Sequence, residues 1–272
     1  MRVIDLHCYP NTEPWIRCQG PYVEALAKYW KRNWTWKQED EVVAEFAAAG
    51  VTVAVSAPPT IDIAQDKVQT HEWLSANGFP TVRQRSLDDA ALDPAWPLPT
   101  VVKPVFGSSS LGLELVADRD RLRALAKRPG YIAQEVAPGV EFTVDVLVDS
   151  TGRAHAPVPR RRIETRSGEV SKARAEHFPH VESLVRELAE RLPDAYGALN
   201  VQIFVDGESV KIIEINARFG GGYPLTDEVG VPHASWLVSD ALGLPKRPSI
   251  PPKWGLTMLR YDEAVFVSGL EV

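Results

Sequence analysis

Glu214 and Asn216 stand two residues apart in the run Val210 to Asn216, whose branched apolar residues predict a strand, so both side chains fall on one face. Gln202 lies in the preceding segment Leu199 to Val205, where Asn200 and Gln202 alternate with Leu199, Val201, Ile203 and Val205. Side-chain oxygens gathered this way suit a hard cation such as Mg²⁺, which takes one or two carboxylates and leaves other positions to water and phosphate. Arg218, two residues on, offers a planar fork to a phosphate. An ordinary half-buried strand with a wet face shows the same alternation, so register has to decide. The two segments flank Asp206-Gly207, the strongest short hairpin signal in the chain. A two-residue turn there opposes Gln202 to Lys211 and sends Glu214 to the other face. The apolar pattern instead groups Val201 and Ile203 with Ile213 and Ile215, which predicts an odd number of loop residues.

A second cluster lies upstream. Lys103 ends the apolar segment Thr100 to Lys103, where a buried ammonium needs an anionic partner, making it a phosphate-ligand candidate as well as a candidate rim lysine. The loop that follows, Phe106-Gly107-Ser108-Ser109-Ser110-Leu111-Gly112, supplies backbone N–H groups and hydroxyls with little bulk, as a flap over phosphates would, or as any flexible hairpin tip would. It lacks the spacing of the common phosphate-binding loop. No Ser-His-Asp or Cys-His arrangement is evident, and His71, His155, His177, His180 and His233 show no metal-ligand spacing.

The elements that must hold these groups read as follows. Val3 to Leu6 predicts a strand, Tyr22 to Trp30 and Glu39 to Ala48 two helices, and Val51 to Val55 another strand. Asp66 with Gln69 forms a capping-box pattern for a helix running to about Asn77, with Gly78 just beyond. A β-hairpin around the Gly/Ser loop, a helix from about Arg119 to Lys127 and a strand Tyr131 to Val136 follow. In Glu141 to Val148, Phe142, Val144, Val146 and Val148 take one face and Glu141, Thr143 and Asp145 the other. The basic run Arg160-Arg161-Arg162 leads into Arg166-Ser167-Gly168-Glu169, which reads as a turn rich in exposed charge. Val181, Leu184, Val185, Leu188 and Leu192 form one helical stripe. With 272 residues, 44% hydrophobic, 24% charged and a net charge of −6, the composition is that of a globular protein with no general attraction to nucleic acid or anionic lipid. No apolar run approaches the roughly 20 residues a membrane helix needs. Two cysteines and no apolar leader place the expected location in the cytoplasm.

In order, Asp66-Lys67, Val101-Val102-Lys103-Pro104, the Gly/Ser loop, Gln134-Glu135-Val136-Ala137-Pro138-Gly139 with Glu141, Asn200-Val201-Gln202, and Glu214-Ile215-Asn216-Ala217-Arg218 with Gly220 to Gly222 resemble the ATP-grasp superfamily, especially its carbamoyl-phosphate-synthase-like and carboxylate–amine ligase members. The resemblance implies an α+β fold of two subdomains gripping ATP. It implies that Lys67 and Lys103 contact phosphates, that Gln134, Glu135, Val136 and Ala137 carry adenine through their backbone, and that Glu141 holds the ribose. Gln202, Glu214 and Asn216 would hold Mg²⁺, and Arg218 would steady the transferred phosphoryl group. Arg160, Arg162 and Arg166 are possible contacts to substrate carboxylate or phosphate, with a solvated basic turn as the equal alternative. The implied reaction activates a carboxylate as an acyl phosphate for attack by an amine. Readings beside it are a bicarbonate-using carbamoyl-phosphate-synthase-like fragment, a nucleotide-binding protein without turnover and, remotely, a metal-dependent hydrolase.

Expected units are a shortened α/β segment at 1–65, a lid subdomain at 66–136 and a large subdomain at 137–272. The opening, with His7 and Tyr9, is similar to the start of amidohydrolases, although His7 alone is more simply a polar residue at a strand end. The aromatics Trp15, Tyr22, Tyr29, Trp30, Trp34 and Trp36 predict packing, and a shortened first unit predicts a homodimer or partner protein covering it.

Overall fold

The computed structural model describes residues 4–5, 52–107, 111–166, 168–246, 248 and 250–261. The helices expected within 22–48, the aromatic cluster, His7 and Ser108 to Ser110 lie outside the described residues. Strands β1 (Ile4–Asp5) and β2 (Thr52–Val53) pair in parallel, Ile4 against Thr52. Helix α1 (Pro58–Gln65) opens with prolines in its first turn, where a missing N–H costs nothing. Helix α2 (Lys67–Ala76) follows the expected grammar: Asp66 accepts from the N–H groups of Val68 and Gln69, and Gly78 closes the end at φ +75°.

Two antiparallel sheets make up the rest. The smaller contains β3 (Gln84–Ser86), β4 (Thr100–Pro104), β5 (Glu114–Val116) and β6 (Tyr131–Glu135) in the order β3-β6-β4-β5. Helices α3 (Leu87–Leu92) and α4 (Arg119–Leu125) cover it, burying Leu87, Trp96, Val102 and Leu122 in one core. The larger sheet has the order β11-β10-β7-β8-β9-β12. Its strands are β7 (Val140–Val148), β8 (Ala154–Arg166), β9 (Glu169–Ala175), β10 (Gly197–Asp206), β11 (Ser209–Asn216) and β12 (Thr257–Leu259). Helix α5 (Pro179–Arg191) lays Val181, Val185 and Leu188 on one face against Val144, Val146, Val201 and Ile203. Helices α6 (Tyr223–Val229) and α7 (His233–Leu242) contribute Leu225, Val229 and Leu237 to a second cluster with Leu147 and Val158.

Three sequence expectations change. First, α2 bridges the two units rather than belonging to the lid alone: Leu74 and Phe79 join the core of the large sheet, while Lys67 at its head bonds to Val105 beside the lid sheet. Second, the basic run is strand rather than solvated turn: Arg160 to Arg166 continue β8, paired with β9 and, at Arg160 and Arg161, with β7, and the expected turn is confined to the hairpin end where Arg166 opposes Glu169. Third, the hairpin loop is even, not odd. Asp206 pairs with Ser209 around Gly207-Glu208, and the row runs in step to Ile203 and Ile212, after which one extra residue, Ile213, brings Gln202 opposite Glu214. A β-bulge therefore does what loop length was expected to do. Ile212 and Ile215, rather than Ile213 and Ile215, enter the core, and Ile213 turns to the opposite side.

Candidate functional site

A cleft of about 250 Å³ runs between the two sheets. Val101 and Lys103 alternate onto its lid-side wall from β4, and Glu141, Gln202 and Glu214 face it from the large sheet. Apolar surface comes from Leu113, Val136, Phe204 and Ile213. Sequence reasoning did not place Phe204 or Ile213 there; both depend on strand pairing that no local pattern records.

Lys103 is only 6% exposed and Lys67 7%. Burial pulls the Lys103 ammonium down to about 8, with the charge of Glu214 working the other way and that of Lys67 adding to the shift. Lys67 is also lowered, chiefly by burial and against the charges of Glu214 and Asp66. Its Nζ donates to the carbonyls of Val105 (3.2 Å) and Gly107 (2.8 Å), so the start of α2 is tied to the root of the Gly/Ser loop. Two largely desolvated cations and a carboxylate at one cleft form a place prepared for anionic oxygen.

The connection between the sheets lines the same cleft with Gln134, Glu135, Val136 and Ala137. Its side chains are occupied in holding it: Gln134 Nε2 donates to Gln84 Oε1 (2.6 Å), and Glu135 Oε1 accepts from the Arg83 N–H (3.0 Å). What remains for a flat ligand is backbone past Glu135, where the β6 ladder ends. Gly139, at φ +92°, packs so closely on the Val205 carbonyl that a Cβ has no room. Glu141 pairs with Arg162 at 3.0 Å, and burial nevertheless raises its carboxyl above the usual range.

Gln202 and Glu214 are directly opposed across β10 and β11, and Asn216 opposes Asn200. Among the described residues no group of three or more His, Cys, Asp or Glu side chains is arranged to hold a metal alone. One carboxylate with two amide oxygens fits Mg²⁺ only when a ligand's phosphates complete the shell, and both buried lysines lie at that cleft. Asn216, Arg218 and Arg160 line a smaller adjoining hollow, while Arg166 is exposed at the end of β8 beside Glu164. Asn200, 3% exposed, donates to the Arg218 carbonyl at 2.8 Å and fixes the turn after β11. Its position two residues before Gln202 was the available signal.

Residues 64–222, more than half of the chain, match the ATP-grasp domain family. The chain belongs to that family. A carbamoyl phosphate synthase large chain from Thermomicrobium roseum is 28% identical over 74% of this chain and 20% of its own length. A 3-methyl-D-ornithine–L-lysine ligase from Methanosarcina mazei is 28% identical over 60% of the chain and 40% of the relative. The chain thus spans well under half the length of these curated ATP-grasp relatives. Among solved ATP-grasp structures, the biotin carboxylase domain dimer of a Hydrogenobacter thermophilus 2-oxoglutarate carboxylase, in complex with MgADP, ADP and bicarbonate, aligns with a TM-score of 0.65 at 19% identity, over 78% of this chain and 52% of that one. An Aspergillus clavatus N5-carboxyaminoimidazole synthase in complex with ADP and 5-aminoimidazole ribonucleotide gives 0.63 at 20% identity, over 82% and 62%. At these identities the structures speak to the ATP-grasp fold alone. The opening, for which the sequence suggested a similarity to amidohydrolases, lies outside the matched residues.

Proposed function

We propose that this chain carries the ATP-binding and phosphoryl-transfer part of a ligase that activates a carboxylate as an acyl phosphate for attack by an amine. The observation that carries the reading is the convergence of Lys67, Lys103, Glu214 and Gln202 on the one cleft between the sheets. The base would lie against Phe204, Ile213 and Val136 along the backbone of residues 134–137, with Glu141 toward the ribose. The phosphates would meet the two lysines, and Gln202, Glu214 and Asn216 would hold Mg²⁺, whose charge when bound favours phosphoryl transfer. Oxygen of the acid attacks the γ-phosphorus and ADP leaves; the amine then attacks the acyl carbon and phosphate leaves. Arg218 steadies the negative charge of the transferred group. Catalysis is positioning and charge neutralisation, with no side-chain nucleophile required.

Phosphate release with Mg-ATP and a panel of acids and amines tests this, the expectation being release that needs both an acid and Mg²⁺. No release with any acid, in protein that binds Mg-ATP, would favour a nucleotide-binding protein without turnover. The likeness to carbamoyl phosphate synthase large chains supports a carbamoyl-phosphate-synthase-like fragment as the second reading; bicarbonate would be its acid, detectable as bicarbonate-dependent release in the same assay. We place the protein in the cytoplasm as a homodimer; light scattering at 30.1 kDa, the mass of one chain, would overturn the dimer. No helix among the described residues is long and apolar enough to cross a membrane.

A further inference from the structure

The inner end of the cleft continues into a hollow of about 40 Å³, which shares Arg162, Gly168, Gln202 and Glu214 with it and is closed on the far side by Gly220-Gly221-Gly222. At ~10–15 Å³ of such space per water, it has room for roughly three waters, the size of a carboxylate with one or two further heavy atoms. Its chemistry is unusual at two points.

Arg160 is 1% exposed. Its Nε and Nη2 donate to the two carboxylate oxygens of Asp145 at 2.7 and 2.8 Å, and Asp145 is itself fixed by the Thr226 hydroxyl at 2.6 Å. The remaining nitrogen, Nη1, is buried without a hydrogen-bond partner. A buried guanidinium N–H left unpaired is costly, and a fully determined fork that keeps one end free is a donor held for something that arrives. Nη1 lies against Gly222, where a Cβ would collide with it. Beside it, the Glu169 carboxylate lies against Gly221 with equally little room. Neither glycine has a positive φ, so their lack of side chains serves space rather than backbone conformation. The glycine run therefore lets a cation and an anion approach neighbouring points of one small hollow.

We propose that this hollow is the subsite of the acid substrate and that the acid is a small amino acid, its carboxylate on Arg160 Nη1 and its ammonium facing Glu169. The assignment rests on the ligase reading for what happens to that carboxylate next: it lies beside Glu214 and Gln202, next to the end of the cleft where phosphates would sit. Arg160 is a binding residue in this scheme, and Asp145 with Thr226 positions it.

The test separates acid binding from nucleotide binding. Saturation-transfer NMR with glycine and with acetate, in the presence of Mg-ADP, should give contact for both on the wild-type protein, stronger for glycine. Arg160→Gln should weaken both at least tenfold while calorimetric affinity for Mg-ADP stays within twofold. Glu169→Gln, at an exposed position, should remove the preference for glycine and spare acetate. Because Arg160→Gln leaves Asp145 without its partner, Gly222→Ala serves as the second variant: it keeps the ion pair, crowds Nη1 and should also lose both probes. Absence of glycine contact on the wild type, or contact surviving in Gly222→Ala or in folded Arg160→Gln, overturns the site. Unchanged glycine preference in Glu169→Gln overturns the ammonium contact. Glycine contact with no measurable Mg-ADP affinity would overturn the nucleotide reading and leave this one standing.

Discussion

At Lys103 the cost of burial and the use of burial meet. Its charged form is disfavoured by desolvation, and in the ligand-free protein the group titrates at about 8 instead of 10.5. Between those values the unfolded chain binds the proton that the folded chain has released, so stability from this group rises with pH across that window and its burden is fullest below it. Lys103→Met should therefore be more stable than the wild type at pH 7, by about 1–3 kcal/mol, and should lose part of the rise between pH 8 and 10.5. Denaturant titrations at pH 7 and pH 10 check both. The same variant should bind Mg-ATP roughly tenfold or more weakly, because a charge-assisted contact is worth ~1.5–3 kcal/mol. Glu214→Ala should abolish Mg²⁺-dependent turnover while leaving Tm close to that of the wild type, since the Glu214 side chain is only partly buried. Retained turnover would rule it out as the metal ligand. Lys103, Gln202 and Glu214 were legible in the sequence because a period of two marks a face. Arg160 stood out from the sequence only as one of three possible substrate contacts in a basic run: what makes it a buried donor is Asp145, fifteen positions earlier on the neighbouring strand.

The elements show the same division between local and paired information. Helix α2 was readable to within a residue because caps are local chemistry. Asp66→Ala should destabilise by about 1 kcal/mol and, by loosening the turn that carries Lys67, raise the Mg-ATP dissociation constant; thermal melts and calorimetry measure the two. Strand β8 went unread in the sequence because an arginine-rich run has no inward pattern of its own, and only its neighbours β7 and β9 make a strand of it. Between the sheets, Gly139 is the position where one side chain would do most harm. Gly139→Ala meets both an unfavourable φ and the Val205 carbonyl, so a loss of about 1–3 kcal/mol is expected, together with weaker nucleotide binding from a displaced 134–137 backbone. Equal affinity in the variant would show that this backbone does not carry the base.

On the scale of the molecule, the cleft is the seam between separately built cores: one under α3 and α4, and those of the large sheet. Leu188→Ala, in the large sheet's core beneath α5, should lower stability by ~2–5 kcal/mol yet leave Mg-ATP affinity of the folded protein unchanged, since α5 contributes nothing to the seam. The α+β class and the order of motifs were visible in the sequence; the packing of α2 on the large sheet was not, because a helix's apolar stripe does not say which sheet it will meet. The extra residue in β11 bears on how such a chain can change length. It sets the phase between turn and site, so gaining or losing one residue between Glu208 and Ile213 would exchange every inward and outward side chain on one arm, whereas a change of two would restore the phase. Related genes should accordingly vary in this hairpin by even-numbered insertions and deletions, and odd ones should appear only where the bulge has vanished with them.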